Sequence, residues 1–294
     1  MKTYIPNYYK KFRCIAGECK HSCCIGWEID IDEDTLEFYE AAEGKAGKRL
    51  RDSISYEGTP HFKLCDGNRC ANLREDGLCS IICDFDEGAL CDICADHPRF
   101  RNVYKNFTEE GLGLCCEEAA RIILNEEEPF SITTDAKGAD EEERFCLKLR
   151  TKAFGILQNK AKTIKERFCE LASAFGVSFD FKLSELVSLY LSLERLDEAW
   201  TEHLEKLKDF DEKIFEDKAY SLQFENLACY FVFRHFSDGI YEGDYNERIK
   251  FCLLSCYIIG AMVSGGNSVE DIARMYSTEV EYSEENMEKI LKVK

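Results

Sequence analysis

Cys14-Ile15-Ala16-Gly17-Glu18-Cys19-Lys20-His21-Ser22-Cys23-Cys24 places four thiols in one short stretch, spaced C-x4-C-x3-C-C. Three more groups follow: Cys65, Cys70, Cys79 and Cys83; then the C-x2-C pair Cys91 and Cys94, followed by His97-Pro98-Arg99; then Cys115-Cys116. Twelve of the chain's 17 cysteines therefore lie within its first 116 residues. Thiolates are soft ligands, and tetrahedral thiolate sites suit both zinc and iron–sulfur clusters. Adjacent Cys23 and Cys24 point in different directions, so they can serve different metals, or one of them can be structural.

Around these thiols, residues 1–125 carry glycine-bearing turns and few long periodic segments, as in a loop-rich metal-binding head. Short amphipathic helices are predicted at 32–42 and 116–124. Residues 126–143 hold Glu126-Glu127-Glu128-Pro129 and Asp140-Glu141-Glu142-Glu143, which predicts an acidic, solvated linker, with Pro129 stopping the preceding helix. From residue 144 to 294 the periodicity is helical, with helices predicted near 141–159, 162–175, 183–208, 219–236, 246–264, 268–277 and 283–292. Gly176, Gly239 and Gly265-Gly266 fall near helix ends, where left-handed caps are needed. The expected fold is mainly α, with the cysteine head packed on a helical body. Cys146, Cys169, Cys229, Cys252 and Cys256 are scattered through helical patterns and read as core, because free cysteine packs as a small hydrophobe.

Composition narrows the function. The formal net charge of −19 argues against nucleic acid, whose binding needs a cationic surface. The longest nearly apolar run, 251–263, is too short to span a bilayer as a helix, so no membrane association is expected. No apolar export signal stands at residues 1–14, so clustered thiols point to a reduced, cytoplasmic setting rather than to disulfides. There is no Walker loop, no H-E-x-x-H and no G-x-G-x-x-G after a strand; Gly111-Leu112-Gly113 is a short glycine turn. The radical-generating C-x3-C-x2-C spacing fails at Gly26. His21, between Cys19 and Cys23, can lie near a metal.

Phe12-Arg13-Cys14, Cys19 and His21-Ser22-Cys23-Cys24-Ile25-Gly26-Trp27 resemble the start of the flagellin lysine N-methylase family, which is related to a wider group of zinc- or iron-chelating cysteine-cluster proteins. Cys70, Gly77-Leu78-Cys79, Leu90-Cys91, Cys94 and Pro98-Arg99 continue the resemblance. So do Leu193-Glu194-Arg195-Leu196-Asp197-Glu198-Ala199-Trp200, Glu225-Asn226 through Arg234-His235-Phe236, and Ala273-Arg274-Met275-Tyr276-Ser277 through Asn286. The chain departs from the family pattern at Cys116-Glu117-Glu118, Cys70-Ala71-Asn72 and His97, and Cys65, Cys83 and Cys115 look like additions.

The resemblance implies methyl transfer from S-adenosylmethionine to lysine ε-amines of flagellin. It also implies an iron–sulfur cluster, a [4Fe–4S] cluster with zinc as the alternative, and the ligand set Cys14, Cys19, Cys23, Cys24, Cys70, Cys79, Cys94 and Cys116. That set exceeds what one four-iron cluster takes, so a subset or two metal sites must be involved. Glu225 or Asn226, Tyr230 and Arg234 can share one helix face. Tyr230 and Glu225 are thus candidate catalytic residues, and Arg234 and Arg274 candidates for holding the donor's carboxylate. A helix-packing salt-bridge network is the competing reading of the same residues, and a non-enzymatic metal-binding or redox-sensing module that of the whole chain.

Overall fold

The computed structural model describes residues 2–133 and 138–293. Two compact units make it up. One comprises Met1–Phe12, Arg101–Cys115 and Ala119–Lys294; the other comprises Arg13–Phe100 and Cys116–Glu118. Residues 134–137 of the expected acidic linker lie outside the described residues.

The first unit is mainly α-helical, and its centre is a pair of packed helices, Ser221–His235 and Tyr245–Ser264. Every residue of the first from Phe224 to His235 is buried, and so is every residue of the second from Phe251 to Val263. A helix buried on all sides is an interior helix, and such a helix shows little amphipathic asymmetry. Glu141–Leu157, Ile164–Ala174, Val269–Tyr276 and Glu284–Leu291 pack around them. All four of these outer helices start on a side-chain cap. Asp140 with Glu143, and Thr163 with Glu166, form reciprocal capping boxes, while Ser268 and Ser283 accept from Asp271 N–H and Asn286 N–H. A small sheet completes the unit: Lys2–Tyr4 runs parallel to Phe107–Leu112, with Tyr4 opposite Glu109, and Arg99–Val103 lies on the other side.

Two expectations change here. The helix predicted at 183–208 is two helices, Leu183–Ser192 and Glu198–Lys206. Asp197 caps the second by accepting from Ala199 N–H, and the intervening backbone is claimed by Glu279, which accepts from Leu196 N–H at 2.8 Å and Asp197 N–H at 2.7 Å. Gly239 is also not a left-handed cap; it starts the short helix Gly239–Glu242, and Gly243 (φ 71°) ends it. Gly176 and Gly266 do take positive φ, as expected.

The second unit is built from short pieces: helices Glu33–Ala41 and Gly44–Asp52, single-turn helices Ser80–Asp84 and Asp92–Asp96, and the two-residue strand pairs Ile54–Ser55 with His61–Phe62 and Leu64–Cys65 with Arg69–Cys70. Its core gathers Ile29, Ile31, Tyr39, Leu50, Phe62 and Ile81. Asp32 ties two elements together, accepting from Thr35 N–H as an N-cap and from Asp92 N–H, both at 2.9 Å. Gly17 and Gly77 let two loops touch: a Cβ on Gly17 would lie 2.8 Å from the Asp76 carbonyl, and one on Gly77 would lie 3.0 Å from Gly17 Cα.

Candidate functional site

Residues four apart on a helix stack on one face. On Ser221–His235 this aligns Tyr230 with Arg234, and the Arg234 guanidinium donates to the Tyr230 hydroxyl at 2.6 Å. A third group joins from another element. After Val269–Tyr276 the chain widens into a π-helical segment, Ser277–Glu281, a geometry frequent at functional sites. Its last residue, Glu281, has a fully buried side chain. That carboxylate accepts from Tyr230 at 2.9 Å and from His235 Nε2 at 2.6 Å, and it lies 3.4 Å from Arg234 Nε. The backbone N–H of Leu114 donates to the Tyr230 hydroxyl at 3.3 Å.

The electrostatics follow from this packing. Burial alone would raise the Glu281 carboxyl, but Arg234 and His235 outweigh it and hold the group down at about 2. Burial drives the Tyr230 phenol well above its usual range, so it stays protonated and donates. Burial also lowers His235 despite Glu281, which leaves a neutral imidazole with its proton on Nε2. The result is an ionised carboxylate held by one guanidinium and two neutral donors.

Glycine makes room beside this cluster. A Cβ on Gly113 would lie 2.5 Å from the Tyr282 hydroxyl and 3.3 Å from both Arg234 and the Cys115 thiol. The Tyr282 ring, half exposed, covers the Arg234 guanidinium at 5.0 Å. The Tyr8 hydroxyl is buried near Arg234 and Glu281 and has no hydrogen-bond partner among the described residues.

Of the sequence-derived residues, Tyr230 and Arg234 are brought together. Glu225 is not with them: it pairs with Arg167 at 2.5 Å, both buried, and Arg167 also donates to the carbonyls of Leu157 and Lys162. An open pocket of about 570 Å³ adjoins that pair, lined by Lys160, Lys162, Phe215 and Lys218 among others. Arg274 is half-buried, and its Nε has no hydrogen-bond partner among the described residues. Asn226 donates to the carbonyls of Leu124 and Glu126, which fastens the end of helix Glu117–Leu124. Sequence reading missed Tyr8, Gly113 and Tyr282. Gly113 had a signal in the Gly111-Leu112-Gly113 doublet, but Gly111 and Leu112 are strand, not turn.

The thiols of the other unit divide between two settings. Cys24, Cys70, Cys79, Cys91 and Cys94 belong to or pack against its apolar core. Cys14, Cys19, Cys23 and Cys116 do not: Cys14 and Cys23 are exposed, Cys19 and Cys116 half-buried. Glu117 ties that second set together, accepting from Lys20 N–H at 2.8 Å, His21 N–H at 3.1 Å and the Cys19 thiol at 3.6 Å. Burial pushes the Cys19 and Cys70 thiols up to about 11. Cys65 and Cys83 are exposed. Among the described residues no three His, Cys, Asp or Glu side chains stand closed around one point as a metal-holding group. The donor chemistry is nonetheless that of a soft-metal site, since nearly all its candidate ligands are thiols. In the helical unit Cys146, Cys229, Cys252 and Cys256 are buried as expected, whereas Cys169 is exposed, contrary to its reading as core.

No helix among the described residues is long and apolar enough to cross a membrane. No solved structure matches the chain. It is 29% identical over 136 residues to a lysine-N-methylase of Salmonella choleraesuis, a match covering 44% of this chain and 34% of that protein. The lysine-N-methylase of Salmonella typhimurium is similar to the same extent. The flagellar biosynthetic protein FliU of Salmonella muenchen is 30% identical over 135 residues, 43% of this chain and 79% of that protein. The chain thus spans about a third of the length of the two methylases. The model of the FliB lysine N-methylase C-terminal domain matches residues 112–293, the segment that carries Gly113, Tyr230, Arg234, His235 and Glu281. With more than half its length so described, the chain belongs to the FliB lysine N-methylase C-terminal domain family.

Proposed function

We propose that this protein transfers a methyl group from S-adenosylmethionine to the ε-amino group of lysines in flagellin, in the cytoplasm, with an iron–sulfur cluster held by its cysteines. The observation that carries the reading is the buried Tyr230–Arg234–Glu281–His235 cluster lying within the family-matched segment. The names of the relatives, lysine-N-methylase and a flagellar biosynthetic protein, support the lysine and the flagellar substrate.

The donor, when bound, supplies a sulfonium methyl open to in-line displacement. The chain must then present a neutral amine, because an ammonium has no lone pair, and a low-dielectric setting favours that form. Tyr230, whose hydroxyl is fixed by Arg234, Glu281 and Leu114, orients the amine; holding it in line supplies much of the acceleration. The Arg234 guanidinium beneath the half-exposed Tyr282 ring, or Arg274 with its unpartnered buried Nε, holds the donor's carboxylate. Glu225, paired with Arg167, acts as a positioning residue at the opposite end of the same helix. The iron–sulfur cluster would be held by a subset of Cys14, Cys19, Cys23, Cys24, Cys70, Cys79, Cys94 and Cys116, and its role would be to stabilise the fold around it.

Mass spectrometry of flagellin co-expressed with and without this chain tests the reading: methylated lysines should appear only with it. Tyr230→Phe and Arg274→Ala, at saturating donor, should each lower the rate at least tenfold; full activity in both would show that the residues are structural. The thiol groups also favour a second reading, a metal-binding or redox-sensing module without catalysis. Calorimetry on the intact holoprotein separates the two, since only the enzyme binds S-adenosylmethionine tightly.

A further inference from the structure

A buried hydroxyl without a partner costs the folded state the free energy of stripping its water, so each one asks for a reason. The Tyr8 hydroxyl is such a group. The residue is 2% exposed, and its oxygen makes no hydrogen bond among the described residues. It lies within electrostatic reach of the Cys229 thiol, Arg234 and the Glu281 carboxylate. Tyr8 belongs to the amino-terminal segment of the helical unit, outside the family-matched residues 112–293.

Loose placement does not account for the orphan, because the chain is fastened on both sides of it. Lys2–Tyr4 pairs with Phe107–Leu112, and Thr133 N–H donates to the Ile5 carbonyl at 3.2 Å. Asn7 N–H donates to the Ser131 carbonyl at 3.0 Å, and the Asn7 side chain accepts from Ser131 N–H at 3.2 Å. Beyond Tyr8, the Tyr9 hydroxyl donates to Glu110 at 2.9 Å and Lys11 pairs with Glu126 at 2.5 Å. Packing does not account for it either. The Tyr8 ring lies against Phe130, with centroids 6.1 Å apart, and a phenylalanine would fill the same space without burying a polar atom.

Hydrogen-bonding capacity separates Tyr8 from its neighbour in the site. A phenol offers one O–H and two lone pairs. Tyr230 has used all three: it donates to Glu281 and accepts from the Arg234 guanidinium and from Leu114 N–H. It can meet a substrate amine only by giving one of these up. Tyr8 has all three in hand, near the same Arg234 and Glu281. A neutral amine presents two N–H donors and one lone pair. An oxygen that accepts one N–H holds the nitrogen and leaves the lone pair free to attack a methyl group.

We propose that the Tyr8 hydroxyl binds the methyl-accepting lysine amine alongside Tyr230, its oxygen accepting an N–H of the amine. This rests on the methylase reading and deepens it, by bringing a residue from outside the matched segment into contact with the substrate. The lysine side chain reaches the cluster past Tyr282, the half-exposed ring that covers Arg234. The amino-terminal segment is thereby part of the site and not only of the sheet.

Tyr8→Phe is compared with the unmodified chain, both full length and purified without oxygen. Three quantities are read: the rate of methyl transfer to flagellin at saturating donor, the calorimetric affinity for S-adenosylmethionine, and the urea midpoint. The rate should fall at least tenfold and donor affinity should stay within twofold. The midpoint should equal or exceed that of the unmodified chain, because the variant loses an unpartnered polar atom and no hydrogen bond. Tyr230→Phe, which strips three hydrogen bonds, should instead lose both rate and midpoint. A fall in rate of less than tenfold in Tyr8→Phe, a lower midpoint or weaker donor binding overturns the proposal while leaving an active methylase. An unmodified chain that methylates no flagellin overturns the methylase reading, and the role of Tyr8 with it.

Discussion

Between Phe224 and His235 every residue of the central helix is buried; between Arg13 and Glu28 none is. The first stretch needs no special fastening, because burial on all sides fixes side chains and backbone together. The second leaves even Ile25 and Trp27 largely exposed, so it is held by point contacts: Glu117 on three groups of the Cys19–His21 loop, Gly17 against Gly77, and Gly26 N–H on the Asn68 carbonyl. A chain ordered by packing loses stability in proportion to the volume removed. A chain ordered by a few contacts loses it all at once when its fasteners go.

The largest expected effect follows from that contrast. With the proposed iron–sulfur cluster in place, chelation under anaerobic conditions should cost the cysteine unit on the order of 10 kcal/mol, because such a site does not exist in an unfolded chain. Hydrogen exchange should then collapse across residues 13–100 while Ser221–His235 and Tyr245–Ser264 stay protected; uniform loss in both units would break the comparison.

Within the packed unit, Arg234→Ala leaves the Glu281 carboxylate buried without its guanidinium, which should cost about 3–5 kcal/mol by urea denaturation. A loss below 1 kcal/mol would mean that the cluster opens to water. The same carboxyl gives a pH signature. Its native value, about 2, lies below the usual 4.5, so the stabilisation is fully present above pH 4.5 and is lost as pH falls towards 2. The contribution is roughly 3 kcal/mol, and Glu281→Gln should flatten the acid limb of the stability curve. An unchanged acid limb in that variant would contradict the assignment.

Gly113→Ala presses a methyl on the Tyr282 hydroxyl and should cost about 1–3 kcal/mol, part of it recovered in the double variant with Tyr282→Phe. Additivity of the two changes would count against the close approach. The smallest effect is expected at Cys256, wholly buried among helices: Cys256→Ala should cost about 1 kcal/mol and leave metal content unchanged by elemental analysis.

The contrast also explains what could be read from sequence. Helices Glu141–Leu157, Ile164–Ala174, Tyr245–Ser264 and Glu284–Leu291 were legible to within two residues, because their caps and apolar runs are local signals. The break at Leu193–Asp197 was not, because what holds it open is Glu279, far along the chain. Helix Gly44–Asp52, with Gly44 at its start, Gly47 inside it and many charges, also escaped notice. At the candidate site, spacing along one helix was enough to unite Tyr230 with Arg234. It could not reveal that Glu225 turns to Arg167, or that Tyr8 and Tyr282 stand near Arg234, since those neighbours come from distant segments.

The parallel pairing of Lys2–Tyr4 with Phe107–Leu112 has a consequence for the newborn chain. Once the first strand has been made, its partner follows only after all of Arg13–Phe100. At roughly 5–20 residues per second the delay is on the order of ten seconds. For that time Tyr4 and Tyr8, both buried in the finished molecule, are exposed beside a run of reduced thiols. The cysteine unit, an insertion between two strands of one sheet, is therefore complete in sequence before that sheet can form.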